Sequence, residues 1–292
     1  MSESSSLVDI RAWPQVERPV LVMCLEGWID AGLSAGAALT HLINAMPSEV
    51  VATFDADELI DYRARRPTLR IVNGVDEELR WPKIQLRSAT NRTGRTVLIL
   101  AGPEPDMRWQ QFCAEVVSLA SRLEVELVVG LGAFPAPVPH TRPVRLIGTS
   151  KSADLAESVG ILPSGIEVPS GVQGALEVAF GEASIPAVGL WARVPHYVAA
   201  MPYPAASAAL LDGLARIAEI EIDTTALHAA AASTTQQIEQ LIAGSEEHAA
   251  LVRQLEMQHD AEMPTGGEEF GHLPSGDEIA AELERFLRGE QQ

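Results

Sequence analysis

The chain has 292 residues, 47% of them hydrophobic and 21% charged, which excludes both a small staple-dependent module and a wholly disordered chain. With 21 Lys and Arg against 40 Asp and Glu the formal net charge is −19. That balance repels nucleic-acid phosphate and anionic lipid, so no nucleic-acid or membrane partner is expected. The acid is unevenly spread: residues 1–218 carry 18 basic and 24 acidic groups, whereas residues 219–292 carry 3 and 16.

Two cysteines, Cys24 and Cys113, are too few for a disulfide framework or a thiolate metal cage and read as buried thiols of a reducing compartment. Met1–Ser6 lacks the basic and apolar regions of a signal peptide, and no apolar run approaches the length of a membrane span. A cytoplasmic protein is expected.

In chain order, Val20–Leu25 is an unbroken apolar run of the kind a strand covered on both faces needs. From Asp30 to Met46 apolar residues recur at helical spacing up to Pro47. A second strand follows at Val50–Phe54, and Leu69–Val72 with Ile84–Leu86 reads as a hairpin inserted at about 68–88. Thr96–Ala101 (strand), Met107–Leu123 (helix) and Glu126–Leu131 (strand) continue the alternation. After the Pro-rich loop Phe134–Pro143 come a strand at Val144–Thr149, helices at Ser152–Val159 and Val172–Phe180, and a strand at Ala187–Val194. Alternation of this kind implies an α/β fold with right-handed crossovers and a mainly parallel sheet. Beyond Pro204 only helical patterns remain, near 205–221, 224–243, 245–262 and 277–288, the last opened by a capping box at Ser275 and Glu278 and preceded by a flexible connector, Met263–Gly276. The division is an α/β core over 7–222 and an acidic helical lid over 223–292.

Gly32-Leu33-Ser34-Ala35-Gly36 matches a nucleophile-elbow pattern, but Ser34 falls inside the first helix rather than on the turn that precedes it. Better placed is Glu26-Gly27-Trp28-Ile29-Asp30, just past a strand, where α/β sheets bind their ligands. Glu26 and Asp30 are candidate bases there, and Asp30 is equally a candidate helix cap. A second cluster, Asp57, Asp61, Arg65 and Arg66, offers either an anion site or a neutralising network at a surface or subunit contact. A third, Pro139-His140-Thr141-Arg142-Pro143, presents His140 for proton transfer and Arg142 for an anion. Pro169–Gly174 opens a helix with glycines but lacks the Lys-Ser/Thr ending of a phosphate loop, and neither a dinucleotide fingerprint nor a metal-ligand spacing occurs. No cofactor and no metal is expected.

At Glu26-Gly27-Trp28-Ile29-Asp30-Ala31-Gly32, at Asp57 through Asp61-Tyr62-Arg63 to Arg65-Arg66-Pro67, and at Pro139-His140-Thr141-Arg142-Pro143, the sequence resembles the proteasome assembly chaperone 2 family in its bacterial branch, over roughly residues 7–222. The resemblance implies a three-layer core similar to purine nucleoside phosphorylases and peptidyl-tRNA hydrolases, a hairpin used in oligomerisation, a trimer, C-terminal helices over a cleft, and proteasome subunits as partners. Namesake members dock through a tail bearing a penultimate tyrosine, which the closing Arg288-Gly289-Glu290-Gln291-Gln292 does not supply. The expectation is a non-catalytic, homo-oligomeric binding or chaperone-like protein with a ligand cleft at the strand ends. The alternative is a small-molecule hydrolase or phosphorylase-like enzyme using the same cleft.

Overall fold

In the computed structural model, which describes residues 6–91, 93–162 and 165–261, the elements in chain order are β1 (Val8–Ile10), β2 (Val20–Glu26), α1 (Ser34–Ala45), β3 (Ser48–Phe54), α2 (Ala56–Leu59), β4 (Thr68–Val72), β5 (Val75–Arg80), β6 (Gln85–Thr90), β7 (Thr96–Pro103), α3 (Trp109–Arg122), β8 (Leu127–Ala136), β9 (Leu146–Thr149), α4 (Ala153–Val159), α5 (Val172–Glu182), β10 (Ala187–Pro195), α6 (Pro204–Ala218), α7 (Thr225–Ala243) and α8 (Glu246–Ala261). The expected connector at 263–276 and helix at 277–288 lie outside the described residues.

Eight strands form one sheet in the order β1-β3-β6-β7-β2-β8-β10-β9. The four central strands β7, β2, β8 and β10 run parallel, in registers such as Val22 opposite both Ile99 and Val129, while antiparallel pairs flank them on each side. The parallel strands are the apolar runs of the sequence because helices cover both of their faces. On one face Val20, Val22 and Cys24 meet Ala35, Leu39 and Leu42 of α1 and Leu210, Leu211 and Leu214 of α6. On the other, Leu21 and Met23 meet Phe112 and Val116 of α3 and Leu176 and Phe180 of α5. Period-two alternation in the strands thus sorts one chain into two cores. Both cysteines are buried and unpaired within these cores.

The inserted hairpin differs from its sequence reading. Its second strand is Val75–Arg80 rather than Ile84–Leu86, so the hairpin closes at Arg80, and Gln85–Thr90 instead joins the main sheet between β3 and β7. The cause is compositional: Val75-Asp-Glu-Glu-Leu-Arg80 is exposed along its whole length and carries no alternating signal, whereas Ile84, Leu86 and Ala89 are apolar because they enter the cores.

Among the described residues no helix is long and apolar enough to cross a membrane. Helix α7 contributes Ile238 to the core beside α6, and α8 buries only Val252, Leu255 and His259.

Candidate functional site

Most of the side chains selected from the sequence are already engaged within the fold. Asp30 pairs as an isolated bridge with Ala133 of β8, and its carboxylate accepts the backbone N–H of Ala35 at 2.8 Å and of Gly36 at 3.0 Å. These are orphan donors of the first turn of α1, and a negative charge there complements the helix dipole. Asp30 is therefore a helix cap. Ser34, at the start of α1, is fully buried and donates to the carbonyl of Ala31 at 2.7 Å, which leaves no exposed nucleophile.

The first two clusters meet through Arg65. Gly27 has φ of +132°, and the space its missing Cβ leaves is filled by the Arg65 guanidinium; a side chain here would face both strain and collision. Arg65 donates to the carbonyl of Glu26 at 3.1 Å and to Asp106 at 3.2 Å, and the other carboxylate oxygen of Asp106 accepts the N–H of Asp61 at 2.8 Å. One arginine thereby ties the ends of β2 and β7 to the segment after α2. The Tyr62 hydroxyl donates to Asp57 at 2.6 Å, and Asp61 caps its own turn by accepting from the N–H of Arg63. Arg66 is exposed.

Two further groups complete this end of the sheet. Glu104 is buried and accepts the N–H of Val172 at 2.9 Å, so the glycine-opened start of α5 is occupied by a carboxylate of the chain itself. The Trp28 indole lies against Gly171 and remains half exposed.

The third cluster stands apart: among the described residues no hydrogen bond or ion pair joins His140 or Arg142 to Glu26, Asp30 or Arg65. His140 is buried, and both its backbone N–H, at 2.8 Å, and its Nδ1, at 2.7 Å, meet the Tyr197 hydroxyl. Burial lowers the imidazole pKa below its ordinary value, and the carboxylates Glu239 and Glu256 oppose that shift. Thr141 and Arg142 are held by α8 through Glu256 and Asp260.

A model of the PAC2 family matches residues 24–242. The chain belongs to the PAC2 family. Among solved structures it is similar to a protein of unknown function from Corynebacterium glutamicum ATCC 13032, at 32% identity and TM-score 0.84, covering 88% of this chain and 98% of that one. It is also similar to a proteasome-assembly chaperone homologue from Mycobacterium tuberculosis, at 38% identity and TM-score 0.74 over 80% and 99% of the two chains. A PAC2 family protein from Streptomyces avermitilis MA is 37% identical, with TM-score 0.71 over 80% and 99%. No match is found among curated proteins. The PAC2 match spans every residue selected from the sequence, from Glu26 to Arg142, and ends before Glu256 and Asp260 of α8.

Sequence reasoning missed a polar node elsewhere in this PAC2 core. Glu177 of α5 is buried, accepts from Thr149 Oγ1 at 2.7 Å and from Gln173 Nε2 at 3.4 Å, and shares Thr149 with the Trp191 indole N–H at 3.0 Å. Burial pushes its carboxyl up to about 7 against those two bonds. The signal was present as Gln173 and Glu177, one helical turn apart, facing strand glycines: Gly130 leaves room for the Gln173 amide and Gly189 for the Glu177, Thr149 and Trp191 polar atoms. Open grooves of about 550 and 520 Å³ lie at Glu17, Arg18, Arg95 and Glu126 and at Lys151 and Ser184. Neither touches Glu26, Arg65 or His140.

Proposed function

We propose that this PAC2 protein is a non-catalytic, chaperone-like binding protein that acts in the cytoplasm as a homo-oligomer, a trimer, assembled through the β4–β5 hairpin. The observation that carries the reading is the hairpin itself: Leu69, Ile71, Val75 and Leu79 are all exposed on a two-stranded sheet that pairs with no other strand among the described residues. An isolated hairpin is marginal in water, and a projecting apolar one calls for a surface to bury against. Its base is fixed by an edge-on contact of Trp81 with Tyr62, ring centres 4.8 Å apart, which places the arginine segment beside the interface.

Membership of the family and likeness to a proteasome-assembly chaperone homologue support proteasome subunits as partners. In this reading the core, 7–222, presents the carboxyl ends of its central strands to a client or small ligand, and α7 and α8 of the acidic C-terminal region act as the lid. The non-catalytic assignment rests on the engagement of Asp30 as a cap, of Arg65 as a tie between loops and of His140 with Tyr197.

Native mass spectrometry tests assembly with the variant I71D/V75D, which changes two exposed side chains and leaves both cores alone. The wild-type chain is expected at trimer mass and the variant as a folded monomer by circular dichroism. A wild-type monomer, or a variant with unchanged mass, overturns the interface. Immobilised wild-type protein is expected to retain proteasome subunits from its own cytosol, and failure to retain them overturns the chaperone assignment.

A further inference from the structure

We propose that the Pro139–Pro143 loop is a carboxylate-binding site, occupied in this structure by α8 of the same chain, and that an acidic helical segment of a partner protein displaces α8 to bind there. What now sits on the loop defines the ligand chemistry. Asp260 takes Arg142 in a two-pronged pair, Nε at 2.8 Å and Nη2 at 2.7 Å. Glu256, one turn earlier on the same helix face, accepts from Thr141 Oγ1 at 2.5 Å and from Arg142 Nη1 at 3.2 Å. Paired N–H donors in a planar fork are the geometry that selects carboxylates. Two carboxylates four residues apart on a helix are therefore what the loop recognises.

The site has one donor more than α8 satisfies. The Tyr197 hydroxyl accepts the backbone N–H of His140 and has no other acceptor among the described residues, so its proton goes to His140 Nδ1 and the ring's own proton sits on Nε2. That Nε2 is buried and has no hydrogen-bond partner among the described residues, on a residue only 5% exposed. Buried donors are almost always paired, and an unpaired one signals an acceptor missing from the resting arrangement. Glu256 of α8 acts electrostatically on this imidazole, so a segment seated where α8 lies comes close to a donor that α8 itself leaves unpaired. Helix α8 is suited to displacement: it lies beyond the family match and buries only Val252, Leu255 and His259.

The proposal rests on the binding-protein reading only for the source of the displacing segment, and its test involves neither the hairpin nor the proteasome. The probe is a fluorescein-labelled peptide with the sequence of residues 246–261, and the control peptide carries Gln and Asn in place of Glu256 and Asp260. Both are titrated against the full-length wild-type protein, the full-length E256Q/D260N variant, whose own helix no longer pairs with the loop, and that variant with R142A or R142K added. The native peptide is expected to bind E256Q/D260N roughly tenfold tighter than wild type, and the control peptide to lose that gain. Both Arg142 variants are expected to lose it too, because lysine keeps the charge and not the fork. Equal binding of the two peptides, equal binding to wild type and E256Q/D260N, or full binding after R142A overturns the site.

Discussion

Asp30 shows how one carboxylate can look catalytic in sequence and be structural in the fold. It sits past a strand and before a helix, as a general base would, but both of its oxygens are committed to N–H groups of α1. D30A is expected to lower the unfolding free energy by about 1–2 kcal/mol, the usual loss for a capping carboxylate, as read by urea denaturation. An unchanged midpoint would return Asp30 to the list of free functional groups. Glu177 gives the opposite lesson, a carboxyl that no sequence motif singles out and that is buried over Gly189. Its folded pKa of about 7 lies above the ordinary carboxyl value of 4.5, so the folded state holds the proton more tightly than the unfolded state does. Stability from this group is fully present below about pH 4.5, is lost as pH rises towards about 7, and stays lost above that. At the usual conversion of a pKa difference into free energy, the effect is about 3 kcal/mol. Urea titrations at acidic and alkaline pH are expected to show this fall in wild type and a flatter profile in E177Q. Parallel profiles in the two proteins would refute the assignment.

At the scale of elements, how much was legible depended on burial. β2, β7, β8 and β10 were readable because each is covered on both faces and must be apolar. Helix α3 was readable because Phe112, Val116 and Leu119 keep one face in the core. β5 was not, since it touches neither core and obeys no burial pattern. The same logic holds for the site. Asp57, Asp61, Arg65 and Arg66 stood out as a dense charge cluster, but Asp106, which orders Arg65 and Asp61, and Glu104, which caps α5, come from another part of the chain, where nothing local marks them. Charge clusters along the sequence are visible, whereas partners brought in by parallel strand pairing need the sheet order. The Pro139–Pro143 loop was legible in the same partial way: His140 and Arg142 could be selected, but their partners Tyr197, Glu256 and Asp260 are supplied by β10's C-terminal turn and by α8.

For the molecule as a whole, the charge of −19 sets a condition on any homo-oligomer, because every copy repels the next and association must overcome that repulsion with apolar burial. The hairpin meets the condition. Its arginines are spent internally, Arg70 beside Glu77 and Arg80 beside Glu78, which leaves Leu69, Ile71, Val75 and Leu79 as the groups with something to gain from contact. Salt should therefore act on the unfavourable term alone. Raising ionic strength shortens the screening length to about 8 Å near physiological salt and weakens repulsion between the acidic bodies without weakening apolar contact. The dissociation constant of the oligomer, measured by sedimentation velocity, is expected to fall several-fold between about 20 mM and about 300 mM salt. Assembly through complementary charges, for instance an arginine cluster of one copy against the acidic helices of another, would loosen over the same range. The sign of the salt dependence thus separates an apolar hairpin interface from an electrostatic one, and a constant that rises with salt would exclude the hairpin as the driving contact.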